Sequence, residues 1–218
     1  MIKAIVCIGA NGVMGKDGAM PWGDMPLDGN HFRSLTEGHI VVMGRKTLES
    51  MDYKPLPNRM NIVLSRRINV GQRPLDMKNP LYSAFSVDEV LDVYDRTKPG
   101  VDLWVIGGSE VYKAFLPYIE EFYVTTVGEH FEGDTFFPDI HKEYDWESEL
   151  IGSDEITIAI KQELPKLVFA KPVEMEQLIR VEMPTKRYML LYRKFTKKGV
   201  TGVTKRMYSD ECTKGKER

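Results

Sequence analysis

One carboxylate, Asp28, stands at the head of an apolar helical stripe and directly behind a loop. From Gly15 to Pro26 the chain holds three glycines and two prolines, which leaves no room for a regular element. From Leu27 to Thr36 the spacing turns helical: Asp28, Phe32 and Leu35 fall at i, i+4 and i+7 and share one face. A carboxylate on such a face is costly to bury unless donors meet it, and where no protein group supplies them a ligand must. Taken alone, the stretch favours a plainer reading, a helix-start acid that is solvated or complements the helix dipole. The rest of the chain changes that balance.

Two strand-to-helix junctions are suited to an anion. Gly44-Arg45-Lys46-Thr47 follows an apolar run and opens a short helix, so backbone can approach a ligand and the first N–H groups are free for phosphate. Arg45 and Lys46 add charge, and the arginine fork matches a phosphate monoester. Gly107-Gly108-Ser109-Glu110 repeats the arrangement after another run. Paired junctions at the C-terminal ends of strands are where a dinucleotide lies in α/β sheets. A lone Gly there would be a tight turn, and neither junction fits the Gly-x-Gly-x-x-Gly fingerprint. Ser65-Arg66 ends a third run and would stand at the same sheet edge as Arg45. Arg59, in a Pro-rich loop, could clamp a carboxylate or be an ordinary surface arginine. Other chemistries find little support: His31, His39, His130 and His141 lack metal-ligand spacing, no serine sits in a nucleophile elbow, and Cys7 reads as a small core residue.

The elements that must position these residues follow from the pattern. Ala4–Ile8, His39–Met43, Asn61–Ser65, Asp102–Ile106 and Phe122–Val127 are apolar runs of strand length. Between them, helices are expected over Leu27–Thr36, Leu48–Met51, from the Ser86…Glu89 capping box through Tyr94, and over Ser109–Tyr118. Residues 69–83, rich in Pro and Gly, read as irregular. Beyond Pro138 the pattern changes: Ile156, Ile158 and Ile160 alternate with small residues as in a one-sided antiparallel strand, and Tyr188–Tyr192 reads as the last strand. Val173–Val181 reads as a short helix in an otherwise ambiguous stretch. From Lys197 on, the chain is polar and basic and is expected to be a flexible tail. The alternation of strand and helix argues an α/β sheet.

The 218 residues, 30 basic against 32 acidic, are enough for one well-packed domain and give no reason to expect nucleic acid as a partner. The two cysteines, Cys7 and Cys212, lie at opposite ends and build no disulfide framework, which suits a reducing compartment. No run is long enough to span a bilayer.

Ala19-Met20-Pro21-Trp22, the Asp28…Phe32 helix, Val42 to Thr47, Pro55-Leu56-Pro57-Asn58-Arg59, Val105 to Gly108 and Gly133-Asp134-Thr135 occur in the order and approximate spacing of dihydrofolate reductase, and from Met1 to Trp146 the chain resembles that family. The resemblance implies an α/β three-layer sandwich around a twisted eight-stranded sheet, mostly parallel with an antiparallel C-terminal strand. It implies a domain over 1–196 with an insert at about 151–186 and a tail over 197–218. It also implies a cytoplasmic, most simply monomeric enzyme that reduces dihydrofolate with NADPH and binds antifolates of the trimethoprim or methotrexate type. The catalytic group would comprise Asp28, Met20, Trp22, Tyr112 and Thr125. Ile5, Phe32, Met51, Leu56 and Ile106 would line the substrate pocket, Thr125 would hydrogen-bond Asp28, and Arg59 would pair the substrate's glutamate carboxylate. NADPH would run past Cys7, Val13, Met14, Gly15, Ala19 and Met20. Its adenosine end would meet Gly44, Arg45, Lys46, Thr47, Leu64, Ser65 and Arg66. Its diphosphate and nicotinamide side would meet Ile106, Gly107, Gly108, Ser109, Glu110, Val111 and Tyr112, with a cis peptide between the two glycines. Asp134 would pin the Gly15–Trp22 loop.

Three departures stand out. Gly29 replaces a bulky apolar residue next to Asp28, at a helix-interior cost of about 1 kcal/mol. Asp52-Tyr53 lengthens the loop before Pro55. The segment after Ile151 and the tail are longer than the family needs. Two other readings compete: a same-fold reductase of a riboflavin-pathway pyrimidine, which Asp28 and Arg59 argue against, and a reductase-like interaction module, which the intact site residues argue against.

Overall fold

The computed structural model describes residues 1–67, 79–159 and 185–199. In chain order these form β1 (Ile2–Gly9), β2 (Val13–Gly15), α1 (Pro26–Thr36), β3 (Ile40–Gly44), α2 (Arg45–Ser50), β4 (Met60–Leu64), β5 (Leu81–Ala84), α3 (Val87–Asp95), β6 (Leu103–Val105), α4 (Ser109–Phe115), β7 (Glu121–Val127), β8 (Thr135–Phe136), β9 (Trp146–Ala159) and β10 (Thr185–Lys197).

Eight strands make one sheet in the order β5-β4-β3-β6-β1-β7-β10-β9, and β2 pairs with β8 in a small second sheet. The pairs from β5 across to β7 are parallel, whereas β10 runs antiparallel to both β7 and β9. The chain leaves β1 towards β3, β4 and β5, then returns through β6 to reach β7 on the other side. The C-terminal ends of β3, β6 and β1 therefore flank a reversal of strand order, where open α/β sheets bind ligands.

The apolar runs are continuous because the sheet is covered on both faces. In β3, Ile40 and Val42 pack into one cluster with Leu103, Val105, Val90 and Phe115, while Val41 and Met43 pack into another with Ile5, Leu48 and Trp104. Period-two alternation thus sends successive side chains to α3 and α4 on one face and to α1 and α2 on the other. Each such buried aliphatic side chain contributes about 1.5–3 kcal/mol. The Ser86 hydroxyl caps α3 by accepting from Glu89 N at 3.2 Å, and Glu89 Oε2 reaches back to Phe85 N at 2.8 Å.

Several boundaries differ from the sequence reading. Leu81–Ala84, whose first three residues fall in the segment expected to be irregular, is β5; it is four residues long and follows Pro80, so pairing with β4, not propensity, fixes it. α4 stops at Phe115, three residues before the expected end, because Pro117 cannot continue the helix. The expected insert shrinks at both ends: residues 151–159 belong to β9 and 185–186 to β10, and the two strands pair from Trp146↔Lys197 to Ala159↔Thr185. The helix at Val173–Val181 and the tail beyond Gly199 lie outside the described residues.

Helix α1 carries the departure noted at Gly29. Its N–H donates to Met25 O at 2.9 Å as in a regular helix, and a Cβ built on it meets nothing within 4 Å. Gly29→Ala is therefore expected to raise stability by about 0.5–1 kcal/mol through lower unfolded-chain entropy, read as a higher urea midpoint; a lower midpoint would contradict the geometry.

Candidate active site

Asp28 lies in the first turn of α1, after Pro26 and Leu27. The helix sets its carboxyl against the β1–β7 seam, where Cys7 pairs with Thr125. Hydrogen bonds from the Thr125 hydroxyl and the Cys7 thiol reach the carboxyl. Burial pushes its pKa above the usual carboxylate value, and the Thr125 bond, the field of His31 and the Cys7 bond offset that only in part. The Cys7 thiol is pushed well above its ordinary range by burial and by Asp28. Tyr112, also raised by burial, donates its hydroxyl to Ile5 O at 2.7 Å. Trp22 is 4% exposed and packs edge-to-face on Phe131, and its indole N–H has no hydrogen-bond partner among the described residues. A half-buried, desolvated carboxyl and a buried N–H donor with no partner are the groups a polar heterocycle satisfies.

The apolar wall is continuous. Ile5, Phe32, Met51, Leu56 and Ile106 belong to one packed cluster built on Val41, Met43, Leu48 and Trp104. At its far end Arg59 is 4% exposed; its Nε donates to Thr36 Oγ1 at 2.9 Å, Nη1 donates to Pro57 O at 2.8 Å, and the guanidinium lies over the Phe32 ring at 5.5 Å. Burial lowers its pKa, with Glu37 acting against that from a distance. Among the described residues it has no salt bridge to a carboxylate, so the fork has donors left for one.

The glycine junctions meet at the same sheet edge. Gly44 pairs with Leu64 across β3 and β4, which puts Ser65 and Arg66 beside Arg45, and Gly44 N donates to Gly107 O at 2.7 Å. The Gly107–Gly108 peptide is cis, and Gly107 has φ +108° with Tyr112 ring atoms 3.2 Å from where a Cβ would be, so no other residue suits the position. Neither α2 nor α4 has a side-chain cap at its start. Arg45 differs from expectation: it pairs with Glu49 on its own helix, while Lys46 and Arg66 are exposed. Thr47 and Leu64 are half-buried beside the junctions, Val111 is buried, Ser109 Oγ donates to Phe136 O at 2.9 Å, and Glu110 pairs with Lys113. An extended, anionic dinucleotide fits this edge, with backbone N–H groups and two exposed cations for its phosphates.

Over this edge runs the loop from β2. Val13 is buried, Met14 and Gly15 are half-buried, and Ala19 and Met20 are exposed. Asp134 holds it from below: the Asp17 N–H donates to Asp134 Oδ2 at 2.9 Å, and Asp134 N donates to Gly15 O at 3.0 Å. That backbone bond and the Thr135 hydroxyl keep the Asp134 carboxyl below its usual range. Gly133 is required beside it, since a Cβ there would lie 2.3 Å from Val13 Cγ1 and 2.6 Å from Gly15 O.

Sequence reasoning missed the polar cluster of His31, Tyr192 and Asp154 that begins beside Asp28. His31 shares its helix face at i+3, a signal present in the spacing. Asp154 and Tyr192 reach the same place from β9 and β10, and no local pattern announces that.

The dihydrofolate reductase family model matches residues 1–161. The chain is 35% identical over 157 residues to dihydrofolate reductase of Bacillus subtilis, covering 72% of this chain and 85% of that one. It is 39% identical over 145 residues to that of Haemophilus influenzae, covering 66% and 82%. A solved dihydrofolate reductase from Enterococcus faecalis, complexed with NADP(H) and RAB-propyl, superposes with a TM-score of 0.63 at 30% identity, covering 91% of this chain and 96% of that one.

The loop contact yields a direct expectation. In Asp134→Ala the Asp17 amide should exchange with deuterium faster by about tenfold or more, since its acceptor is lost, while global stability stays within about 0.5 kcal/mol. Unchanged exchange at Asp17 would show that the carboxylate does not hold the loop.

Proposed function

The chain belongs to the dihydrofolate reductase family, and from that premise we propose that its residues carry out the NADPH-dependent reduction of 7,8-dihydrofolate to 5,6,7,8-tetrahydrofolate, with Asp28 as the group that grips the pterin. The observation that carries this is two half-satisfied charges set along one apolar cluster: a half-buried, desolvated carboxyl, and a buried guanidinium without a carboxylate partner among the described residues. Dihydrofolate has the matching groups, amino and ring N–H donors on the pterin and a carboxylate on its glutamate. A pyrimidine without that glutamate would leave Arg59 unmet.

NADPH, when bound, supplies a hydride from nicotinamide C4 to pterin C6. The protein's part is alignment and electrostatics. Asp28 orients and polarises the pterin, and Thr125 fixes the carboxyl. Ile5, Phe32, Met51, Leu56 and Ile106 hold the ring system and the benzoyl group. Tyr112 ties the cofactor edge to β1 through Ile5 O. A water delivers the proton that N5 gains, and the Gly15–Trp22 loop, with Met20 and Trp22, excludes bulk solvent, held by Asp134. Lys46, Ser65 and Arg66, with Arg45 beside them, take the adenosine phosphates, and Gly107 to Tyr112 the diphosphate and nicotinamide side. Antifolates with a diaminopyrimidine or pteridine ring would compete at Asp28. Among the described residues no helix is long and apolar enough to cross a membrane, and we assign the protein to the cytosol on its widely separated cysteines.

Asp28→Asn tests the reading. Turnover should fall by about 10² or more near neutral pH, while NADPH binding persists. The stability effect has a defined sign. The folded-state pKa of Asp28 is raised, so its contribution is greatest in acid and is lost as pH rises from the unfolded value through the folded one. Asp28→Asn should thus be more stable than the parent at neutral pH, and that gain should vanish in acid. Near-normal turnover would overturn the role of Asp28.

A further inference from the structure

Asp28 has a solvent-facing side that the reaction above does not use. His31 lies one turn further along α1 on the same face, and its ring meets Tyr192 of β10 with centroids 4.7 Å apart. Around the two rings opens a cavity of about 290 Å³ that Leu27, Gly152, Ser153 and Asp154 help to line. The β9–β10 register shifts here: Tyr192 faces Gly152 but Arg193 faces Leu150, so Ile151 is the extra residue of a bulge. Bulges re-aim side chains beside active sites. This one stands next to Asp154, which hydrogen-bonds Tyr192. The imidazole is therefore faced by Asp28 from its own helix, Asp154 from β9 and the Tyr192 hydroxyl from β10. Asp28 in turn is faced by Cys7 of β1, Thr125 of β7 and, more remotely, Tyr112 of α4.

We propose that His31 is a positioning residue for the reduction: its cation, which shares a cavity with Asp154, favours the ionised form of Asp28 and so sets the pH range in which the site works. This rests on the reading that Asp28 grips the pterin. Two carboxylates flanking one imidazole form a coupled set whose titrations belong to the cluster. Burial opposes the imidazolium and lowers the pKa of His31, while both carboxylates raise it. The His31 pKa is thus lowered and that of Asp28 raised, so the two titrations are drawn towards each other. The cavity opens His31, Asp154 and Tyr192 to water.

Two measurements on the full chain test it. The first follows the ring protons of His31 by NMR, assigned by their loss in His31→Gln. Asp154→Asn and Asp28→Asn should each lower its titration midpoint, since each removes an anion that favours the cation. The second follows single-turnover hydride transfer against pH. His31→Gln should move the midpoint upward by about half a unit to one unit. Asp154→Asn should move it upward by less, and should not do so in the His31→Gln background, where only its repulsion of Asp28 is left to lose. A merely structural His31 would lower the rate at every pH and leave the midpoint fixed. A His31 titration indifferent to both carboxylates, or a profile fixed in His31→Gln, would overturn the inference. Absence of hydride transfer in the parent would instead overturn the function proposed above, and the NMR titration would still decide the pairing.

Discussion

The structure turns on the cost of keeping one carboxyl out of bulk water. Asp28 is held against the β1–β7 seam by Thr125 and Cys7, and burial outweighs those bonds. A folded protein keeps such a group only where the rest of the fold holds it in place and something else benefits. Here the fold does so with parallel strands covered on both faces, so that Cys7 and Thr125 are fixed in register before α1 is laid across them. In the proposed function a ligand with N–H donors supplies those that the protein withholds.

The same incompleteness recurs around the pocket. Among the described residues Trp22 keeps a buried N–H with no partner, and the buried fork of Arg59 donates to no acceptor but a hydroxyl and a carbonyl. Each unmet group costs stability until a partner meets it, and the proposed substrate carries groups that could do so. At the cofactor edge the protein instead removes side chains. Gly44 and Gly107 touch backbone to backbone, and a Cβ at Gly107 would strike Tyr112. Polar groups held short of satisfaction fit the substrate, and glycine backbone fits the anionic cofactor.

Much of this was legible in the sequence because its signals are local. The continuous apolar runs in β1, β3 and β4, the Ser86…Glu89 cap, the spacing of Asp28, Phe32 and Leu35, and the Gly44 and Gly107 junctions each lie within a few residues, and each has its counterpart in the structure. What was not legible depends on pairing across the chain. β5 is four residues whose strand state comes from β4. β2 and β8 are two or three residues each, joined across the Asp134 loop. The link from Asp154 through Tyr192 to His31 depends on the β9–β10 register and its bulge, which no window of sequence encodes. The Arg45–Glu49 pair has a local signal too, at i, i+4, but the same arginine also fits a phosphate, and spacing alone does not choose between them.

The account stands on a buried acid that grips a pterin beside a reduced nicotinamide. The most direct check is NADPH absorbance together with proton uptake in the presence of 7,8-dihydrofolate, using the intact chain. The account predicts that NADPH is consumed, that tetrahydrofolate forms in equal amount, and that one proton is taken up for each NADPH oxidised. No consumption with dihydrofolate, or NADPH oxidation without tetrahydrofolate, would contradict it.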